Sequence, residues 1–157
     1  EGIKATKTKY CCIINADGSM NPKYLKRMLT LCEKKDLVFT SRYQKPGGGS
    51  EDDDIVTSIG NFFFTFFGNL FFKLNISDIL FTYILGKTKS FKKMKLSRHD
   101  FRICVELPIR AKRLKLEYVC IPSFERARIG GKKKVNPIKD GFLILTEMIR
   151  LFFKWKK

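Results

Sequence analysis

A short polar segment directly after an apolar run is the place where this sequence could do chemistry. Asn15, Asp17 and Ser19 lie in the segment NADGS, which is typical of a turn. A carboxylate at the end of a strand can hold a divalent metal, and that metal can bridge the phosphates of a diphosphate. The alternative is structural, with Asp17 beginning the turn and capping the next helix. A single Asp does not decide between the two, so its neighbours matter.

The residues around this segment predict a strand, a helix and a second strand. Residues 10–15 are an apolar run suited to a buried strand, and residues 36–41 form the next one. Between them a helix begins with Asn21 as N-cap and Pro22 at its first position. Its apolar residues recur at helical spacing, namely Leu25, Met28, Leu29 and Cys32. This order predicts a βαβ unit in a parallel sheet covered by helices, with ligands at the strand ends.

Between residues 44 and 72 a loop is followed by a long uncharged segment. Residues 44–54 (QKPGGGSEDDD) suit neither helix nor strand, and we expect a flexible loop there. Ile55–Phe72 is 18 residues without a charged side chain, near the lower limit for a membrane span. Polar residues recur in it every four positions, which gives a helix one polar stripe. We therefore expect a helix that is buried against the sheet or lies at a membrane surface, rather than one that crosses it.

The second half of the chain alternates predicted strands and helices within the same single domain. The predicted strands are 81–85 and 117–121. The predicted helices are 90–95, 101–114 with an interruption or a kink near Pro108, and 138–154. The last helix is amphipathic, because its apolar and charged residues fall on different faces. Residues 122–136 form a loop that carries Arg126, Arg128 and three consecutive lysines.

Positive charge is concentrated in this second half. The chain of 157 residues has a net charge of +17, with 11 basic and 9 acidic side chains over residues 1–85 and 21 and 6 over residues 86–157. The excess suits a solvated surface, phosphates or anionic lipid, or nucleic acid. Nucleic acid is not expected, because the aromatic residues cluster in apolar runs and no known nucleic-acid-binding motif is readable.

Cysteine usage and the first residues bear on the compartment. The five cysteines are an odd number without a CxxC pair, which is typical of a reduced, intracellular chain. No signal peptide or prenylation motif is visible. The sequence opens without Met in residues typical of a helix interior, so we expect a fragment whose N-terminal part is missing. The cysteines favour a cytoplasmic protein, and the basic groups of the second half would hold it at the inner face of a membrane.

Several short motifs follow one another along nearly the whole chain. They are NADGS (15–19), DLVFTSRY (36–43), ISD (76–78), VE (105–106), IP (121–122), RIGGKKK (128–134) and KDG (139–141). In their order and spacing the chain resembles the family 2 glycosyltransferases with the GT-A fold, in the branch of dolichyl-phosphate mannose synthase and bacterial polyprenyl-phosphate glycosyltransferases. No single motif carries the resemblance; the ordered set does.

The resemblance implies a fold and a set of site residues. The fold is α/β, Rossmann-like, with a mixed sheet and helices on both faces. The DxD motif of the family falls on residues 15–17, so Asp17, with Asn15 and Ser19, would bind Mg²⁺ or Mn²⁺ and the donor diphosphate. The phosphate-binding positions of the family fall on Arg42, Ser58, Arg128 and Lys134.

Two further carboxylates, Asp78 and Glu106, are candidates to shape the sugar pocket and to take part in catalysis. Each has a structural alternative of equal weight, as a turn cap or as the partner of a nearby Arg. His99, the single histidine of the chain, lies in the polar segment SRHD and is expected at the surface.

The sequence departs from the family pattern at three places. Asn15 replaces the first Asp of the metal motif, which removes one anionic ligand. Asp54 falls where such enzymes often carry an Arg, and a carboxylate there would repel a lipid phosphate. The first βαβ units, which hold the nucleotide base in the family, are absent from this sequence.

The resemblance therefore predicts a metal-dependent, inverting glycosyltransferase that moves a sugar from a nucleotide-sugar to a polyprenyl-phosphate lipid at an anionic membrane surface. A phosphate oxygen is already ionised at neutral pH, so such a reaction needs no general base. One alternative is a basic binding module without catalysis, whose partner is nucleic acid or an anionic membrane. A third is a fragment without activity, because the first βαβ units are missing.

Overall fold

The computed structural model describes residues 1–131 and 135–155, apart from the side chain of Trp155. The strands are β1 (Tyr10–Ile13), β2 (Leu37–Ser41), β3 (Gly49–Ser50), β4 (Ile84–Lys87), β5 (Tyr118–Pro122) and β6 (Phe124–Glu125). The helices are α1 (Gly2–Ala5), α2 (Leu25–Lys34), α3 (Ile55–Phe72), α4 (Thr88–Met94), α5 (Ile103–Arg113) and α6 (Pro137–Trp155). A short 3-10 turn, Pro22–Tyr24, precedes α2 and has Asn21 as its cap.

The main sheet is mixed, with strand order β1-β4-β2-β5. β2 and β5 are parallel, whereas β4 is antiparallel to both β1 and β2 and lies between them. The expectation of a parallel sheet from the first strand, helix and strand was therefore wrong in part. β1 and β2 do point the same way, but the local sequence pattern could not indicate that a later strand separates them.

Helices cover both faces of this sheet, as expected for the fold class. Side chains of successive strand residues point to opposite faces. On one face Val38, Leu85 and Ile121 pack with Met28 and Cys32 of α2. On the other face the strand residues pack with α4 and α5, through Leu37, Phe39, Ile84, Phe91, Met94 and Leu107. The α/β class with a mixed sheet and helices on both faces is confirmed.

α3 turns its polar stripe inward. Asp54 caps its first turn by accepting a hydrogen bond from the backbone N–H of Thr57 at 2.7 Å. Asn61 and Thr65 are buried and accept hydrogen bonds from the backbone N–H groups of Leu80 and Ile79. Residues 74–80 belong to no strand, so these side chains satisfy backbone groups that would otherwise be buried unpaired. α3 packs on α5 and α6 rather than on the sheet, and the other alternative, a helix at a membrane surface, stays a prediction.

The opposite side of α3 forms, with α6, a surface that we call the apolar outer face. Its residues are exposed and large, namely Ile55, Val56, Ile59, Phe62, Phe63, Phe66, Leu70 and Phe71 of α3 and Ile138, Phe142, Leu145, Ile149 and Phe153 of α6. The helices run side by side in the same direction, with Gly141 beside the Phe64 ring and the rings of Phe71 and Phe152 5.5 Å apart. By length and composition alone α3 is apolar enough to cross a membrane, and 17% of it is buried.

Candidate functional site

A cavity of about 590 Å³ lies where the carboxyl ends of β1 and β2 meet the first turns of α3 and α6. Asn15 and Asp17 follow β1 on its wall, and Arg42 follows β2. Arg128, from the loop after β6, closes another side. The structure thus brings together four of the residues that the sequence predicts for the site. The size is that of a pocket for a small-molecule ligand.

Asp17 is a fixed and ionised carboxylate at the cavity wall. Its Oδ1 accepts hydrogen bonds from the backbone N–H and the hydroxyl of Ser19, at 3.1 and 2.7 Å. Partial burial alone would raise the pKa of Asp17, but these hydrogen bonds and the charge of Arg128 outweigh it and lower the pKa. Ser19 itself is buried and does not line the cavity, so it orients Asp17 in this structure.

Arg128 is held over the cavity by acidic residues on two different segments. Its Nε and Nη2 contact the two oxygens of Asp52 at 3.0 and 2.5 Å, and its Nη1 lies 4.0 Å from Oδ2 of Asp17. The surrounding loop is fixed by backbone hydrogen bonds to the turn after β1, from Ile129 to Asp17 and from Arg126 to Ser19. The basic loop therefore already lies against the turn that carries Asp17.

Arg42 is buried in a network of three carboxylates. Its Nε and Nη2 donate to the two oxygens of Asp78 at 2.8 and 3.0 Å. Its Nη1 donates to Glu125 at 3.1 Å and lies 3.5 Å from Asp53. Burial alone would lower the pKa of Arg42, but the hydrogen bonds and charge of Asp78, with Glu125 and Asp53, raise it. The guanidinium also lies 4.8 Å from the centre of the Phe81 ring, so most of its contacts are structural.

The loop 44–54 is joined to the cavity through Asp53. Oδ2 of Asp53 accepts hydrogen bonds from the hydroxyls of Tyr43 and Ser58. Burial and the bond to Asp53 raise the pKa of Tyr43 to about 12, so its hydroxyl stays a donor at neutral pH. Ser58 stands one turn into α3 and does not line the cavity. The short strand β3 pairs with β6, which places the acidic residues of this loop opposite the basic loop.

Comparison with known sequences decides the family. Residues 1–95 match the family model described as glycosyl transferase family 2. The chain belongs to this family. It is therefore a glycosyltransferase, an enzyme that uses a nucleotide-sugar donor and an acceptor. No curated protein matches the chain significantly. The alternative of a binding module without catalysis is not supported by this membership.

Two predicted catalytic residues of this family 2 enzyme do not line the cavity. Asp78 is buried behind Arg42, where it also accepts a hydrogen bond from Asn61 at 2.9 Å. Glu106 is fully buried, away from the cavity wall. It accepts hydrogen bonds from the hydroxyl of Ser97, the backbone N–H of Arg98 and the guanidinium of Arg110. Its contacts are those of the structural alternative. Lys134 lies outside the described residues, and His99 is exposed as expected.

Four acidic residues that the sequence analysis missed do line the cavity, namely Asp52, Asp53, Glu125 and Asp140. Asp52 and Asp53 belong to the acidic run after the Gly-rich segment, where only the composition of a loop was readable. Glu125 is the one acidic residue in the basic segment 122–136, and its charge alone only weakly indicates a functional residue. The carboxylate of Asp140 accepts a hydrogen bond from the backbone of Asn136 at the start of α6.

The residues present fit a divalent metal that binds together with the diphosphate. Among residues 1–131 and 135–155, no three acidic, histidine or cysteine side chains converge as a metal cage. Asp17 nevertheless offers one ionised carboxylate at the wall, beside the amide of Asn15. Mg²⁺ keeps several waters and commonly takes only one or two carboxylates plus substrate phosphates. Members of this family often use such an ion, and Asp17 with Asn15 would hold it here.

Proposed function

We propose that this family 2 glycosyltransferase moves a sugar from a nucleotide-sugar to a polyprenyl phosphate at an anionic membrane surface. The observation that carries the proposal is the position of the cavity. It opens between the first turns of α3 and α6, the two helices that bear the apolar outer face. A lipid chain lying along that face would bring its phosphate to the cavity that contains Asp17 and Arg128.

The exposed side chains of α3 and α6 support a membrane location. Thirteen large hydrophobic residues of these helices are exposed on one surface. Single exposed hydrophobic residues are normal, whereas a contiguous patch of this size marks an interaction site. Because the polar stripe of α3 faces inward, its outer Phe side chains remain exposed in the part of the chain that the structure describes. Basic residues of the second half would add attraction to anionic lipid, worth about 1 kcal/mol each near the surface. The protein would then lie on the cytoplasmic leaflet with α3 and α6 in the interface.

Two helix N-termini favour phosphate in the cavity. Val56, Thr57 and Gly60 of α3 line it, and so do Pro137 and Gly141 of α6. The first turn of a helix carries a partial positive charge and backbone N–H groups that suit an anion. Asp54, which could repel a lipid phosphate, is engaged as the cap of α3 through the N–H of Thr57.

The proposed reaction is a single displacement. An ionised oxygen of the lipid phosphate attacks the anomeric carbon, the bond from that carbon to the diphosphate oxygen breaks, and the nucleoside diphosphate leaves with the electron pair. Attack opposite to the leaving group inverts the anomeric configuration. No proton has to be removed from the acceptor, and no His lines the cavity among the described residues.

The side chains then have distinct roles. Arg128, with Lys134 by resemblance, neutralises charge on the leaving diphosphate. Asp17, supported by Ser19 and with Asn15 beside it, would hold Mg²⁺ or Mn²⁺, whose charge supplies further neutralisation of the diphosphate. Asp78 positions Arg42, and Arg42 in turn positions the carboxylates on the cavity wall.

The test uses the full chain with vesicles that contain anionic lipid and polyprenyl phosphate. A nucleotide-sugar with a labelled sugar is added with Mn²⁺, and label in the lipid extract is measured. We expect transfer that needs the polyprenyl phosphate, and its loss in Asp17→Ala. Glu33→Ala, which removes an exposed carboxylate of α2, is the matched control and should keep transfer. Equal transfer by the Asp17 variant, or transfer that is independent of the lipid phosphate, would overturn the proposal.

A further inference from the structure

The described lining of the cavity is acidic, although the protein is very basic. The chain as a whole has a net charge of +17. The described residues that line the cavity include five carboxylates but only two guanidinium groups, those of Arg42 and Arg128. The ion pairs along this lining fall into two groups. Arg128 pairs with Asp17 and Asp52, whereas Arg42 pairs with Asp53 and Glu125. We call the two carboxylates Asp53 and Glu125 the acidic wall.

Glu125 is the central member of the acidic wall. It is 6% exposed, and its carboxylate is fixed by Ser50 at 2.7 Å and by Arg42 at 3.1 Å. Both of these hydrogen bonds end on Oε2. No hydrogen bond from the described residues reaches Oε1, although the residue lines the cavity. Oε1 itself is not buried, so it is open to the cavity and can accept a hydrogen bond from a ligand.

Asp53 has the same pattern. Its Oδ2 accepts the hydroxyls of Tyr43 and Ser58 and faces Arg42, while no hydrogen bond from the described residues reaches its Oδ1. With Asp78 behind them, three carboxylates surround the one positive charge of Arg42. The acidic wall therefore keeps an excess of negative charge and of hydrogen-bond acceptors.

We infer that the acidic wall binds the sugar of the donor through its hydroxyl groups, and that Glu125 excludes acidic sugars. This inference rests on the proposed function, in which the ligand is a nucleotide-sugar. Sugar hydroxyls are neutral hydrogen-bond donors and suit the unpaired carboxylate oxygens. A diphosphate or a uronate carboxylate would be repelled there. The diphosphate therefore lies on the Arg128 side and a neutral sugar on the Glu125 side.

The test compares donors that differ only at one carbon of the sugar. Binding of UDP-glucose against UDP-glucuronate, and of GDP-mannose against GDP-mannuronate, is measured by calorimetry with the full chain and Mn²⁺. In the series whose nucleoside diphosphate binds, the neutral sugar should bind about tenfold or more tightly than the uronate. Glu125→Gln, which keeps the shape and the acceptor for Arg42, should reduce that ratio to about threefold or less.

The controls separate failure of this inference from failure of the proposed function. Glu117→Gln removes a carboxylate that is 66% exposed and paired with Lys35, and it should leave the ratio unchanged. Equal affinity for the neutral sugar and the uronate in wild type, or an unchanged ratio in Glu125→Gln, would overturn the inference while the nucleotide-sugar assignment stands. If neither GDP nor UDP binds in either series, both the proposed function and this inference fail.

Discussion

Arg128 and Asp52 form a two-point ion pair at the cavity, with Nε to Oδ1 at 3.0 Å and Nη2 to Oδ2 at 2.5 Å. Asp52 comes from the acidic loop before α3, and Arg128 comes from the basic loop after β6. Asp52 offers two carboxylate oxygens to the guanidinium of Arg128, and a phosphate group can offer two oxygens in the same way. A diphosphate that uses Arg128 must therefore compete with Asp52.

This competition predicts the effect of Asp52→Asn. Loss of the charge frees Arg128 and removes repulsion of the diphosphate, so affinity for GDP or UDP should increase. The pair is partly buried, and exposed ion pairs contribute up to about 1 kcal/mol, so the increase in affinity should be about fivefold or more. Calorimetric titration measures the change, and Asp100→Asn, which breaks an exposed pair with Arg102, is the control. Weaker binding by Asp52→Asn would show that Asp52 helps to hold the ligand instead.

Two inward asparagines of α3 separate stability from site geometry. Asn61 bonds to Asp78 and to Leu80, and Asn69 makes two hydrogen bonds to the backbone of Ile76. Either change to Ala should lower the free energy of unfolding by about 1–3 kcal/mol, because buried polar groups lose their partners. Chemical denaturation measures this loss. Of the two, only Asn61 bonds to Asp78, which positions Arg42, so only Asn61→Ala should also weaken binding of the nucleotide-sugar. Equal binding by both variants would show that Asn61 does not act on the site through Asp78.

Phe62 and Phe66 test the membrane role of the apolar outer face. Both are more than half exposed, so changing them together to Ser should leave the free energy of unfolding nearly unchanged. Each side chain contributes roughly 1.5–3 kcal/mol when it is buried in an apolar medium. Sedimentation with anionic vesicles should show binding reduced by about tenfold or more. Leu29→Ser, on α2 and 40% exposed, should bind as wild type does; a double variant that binds equally well would remove α3 from the interface.

Glu147 predicts a dependence of stability on acid. It is buried on α6, with Arg98 at 2.7 Å and Arg150 at 2.9 Å. Burial alone would raise the pKa of Glu147, but the hydrogen bonds and charges of Arg150 and Arg98 outweigh it and lower the pKa. The folded-state pKa thus lies below the unfolded value of about 4.3, so the stabilisation is complete above that pH and is lost as the pH falls through the lowered pKa.

The measurement for Glu147 is urea denaturation of wild type and Glu147→Gln at several pH values. At pH 7 the variant should be less stable by about 1–3 kcal/mol, because two partly exposed guanidinium groups lose the buried carboxylate that they contact. The difference should shrink as the pH is lowered towards 3. A constant difference over this range would mean that the ionised form of Glu147 contributes nothing to stability.

Local patterns predicted most of the elements but not their pairing. β1, α2 and β2 lie where apolar runs and the Asn21-Pro22 start indicate them. The strand expected over 81–85 begins only at Ile84, and nothing in its sequence indicates insertion between β1 and β2. The polar stripe of α3 was also readable. Its direction was not, because the partner is the irregular backbone of residues 74–83 rather than solvent.

Site residues could be predicted where they directly follow a strand that the sequence also predicts. Asp17 and Arg42 follow β1 and β2, so the sheet brings both to the cavity. Glu125 and Asp52 lie on loops whose contacts depend on the pairing of β3 with β6, a two-residue ladder that no periodicity reveals. Whether Arg42, Ser58 and Lys134 contact phosphate, and whether Asp78 and Glu106 affect catalysis, stay predictions.

The most direct test of the account asks whether Asp17 and Arg128 act on one diphosphate. Binding of GDP and UDP is measured by calorimetry, with and without Mn²⁺, for wild type, Asp17→Asn, Arg128→Gln and the double variant. We predict that each single change weakens binding of the nucleoside diphosphate with Mn²⁺ about tenfold or more. The double variant should lose less binding free energy than the sum of the two single losses. Without Mn²⁺, Asp17→Asn should leave the affinity unchanged. Unchanged affinity in either single variant, or costs that simply add, would contradict the claim.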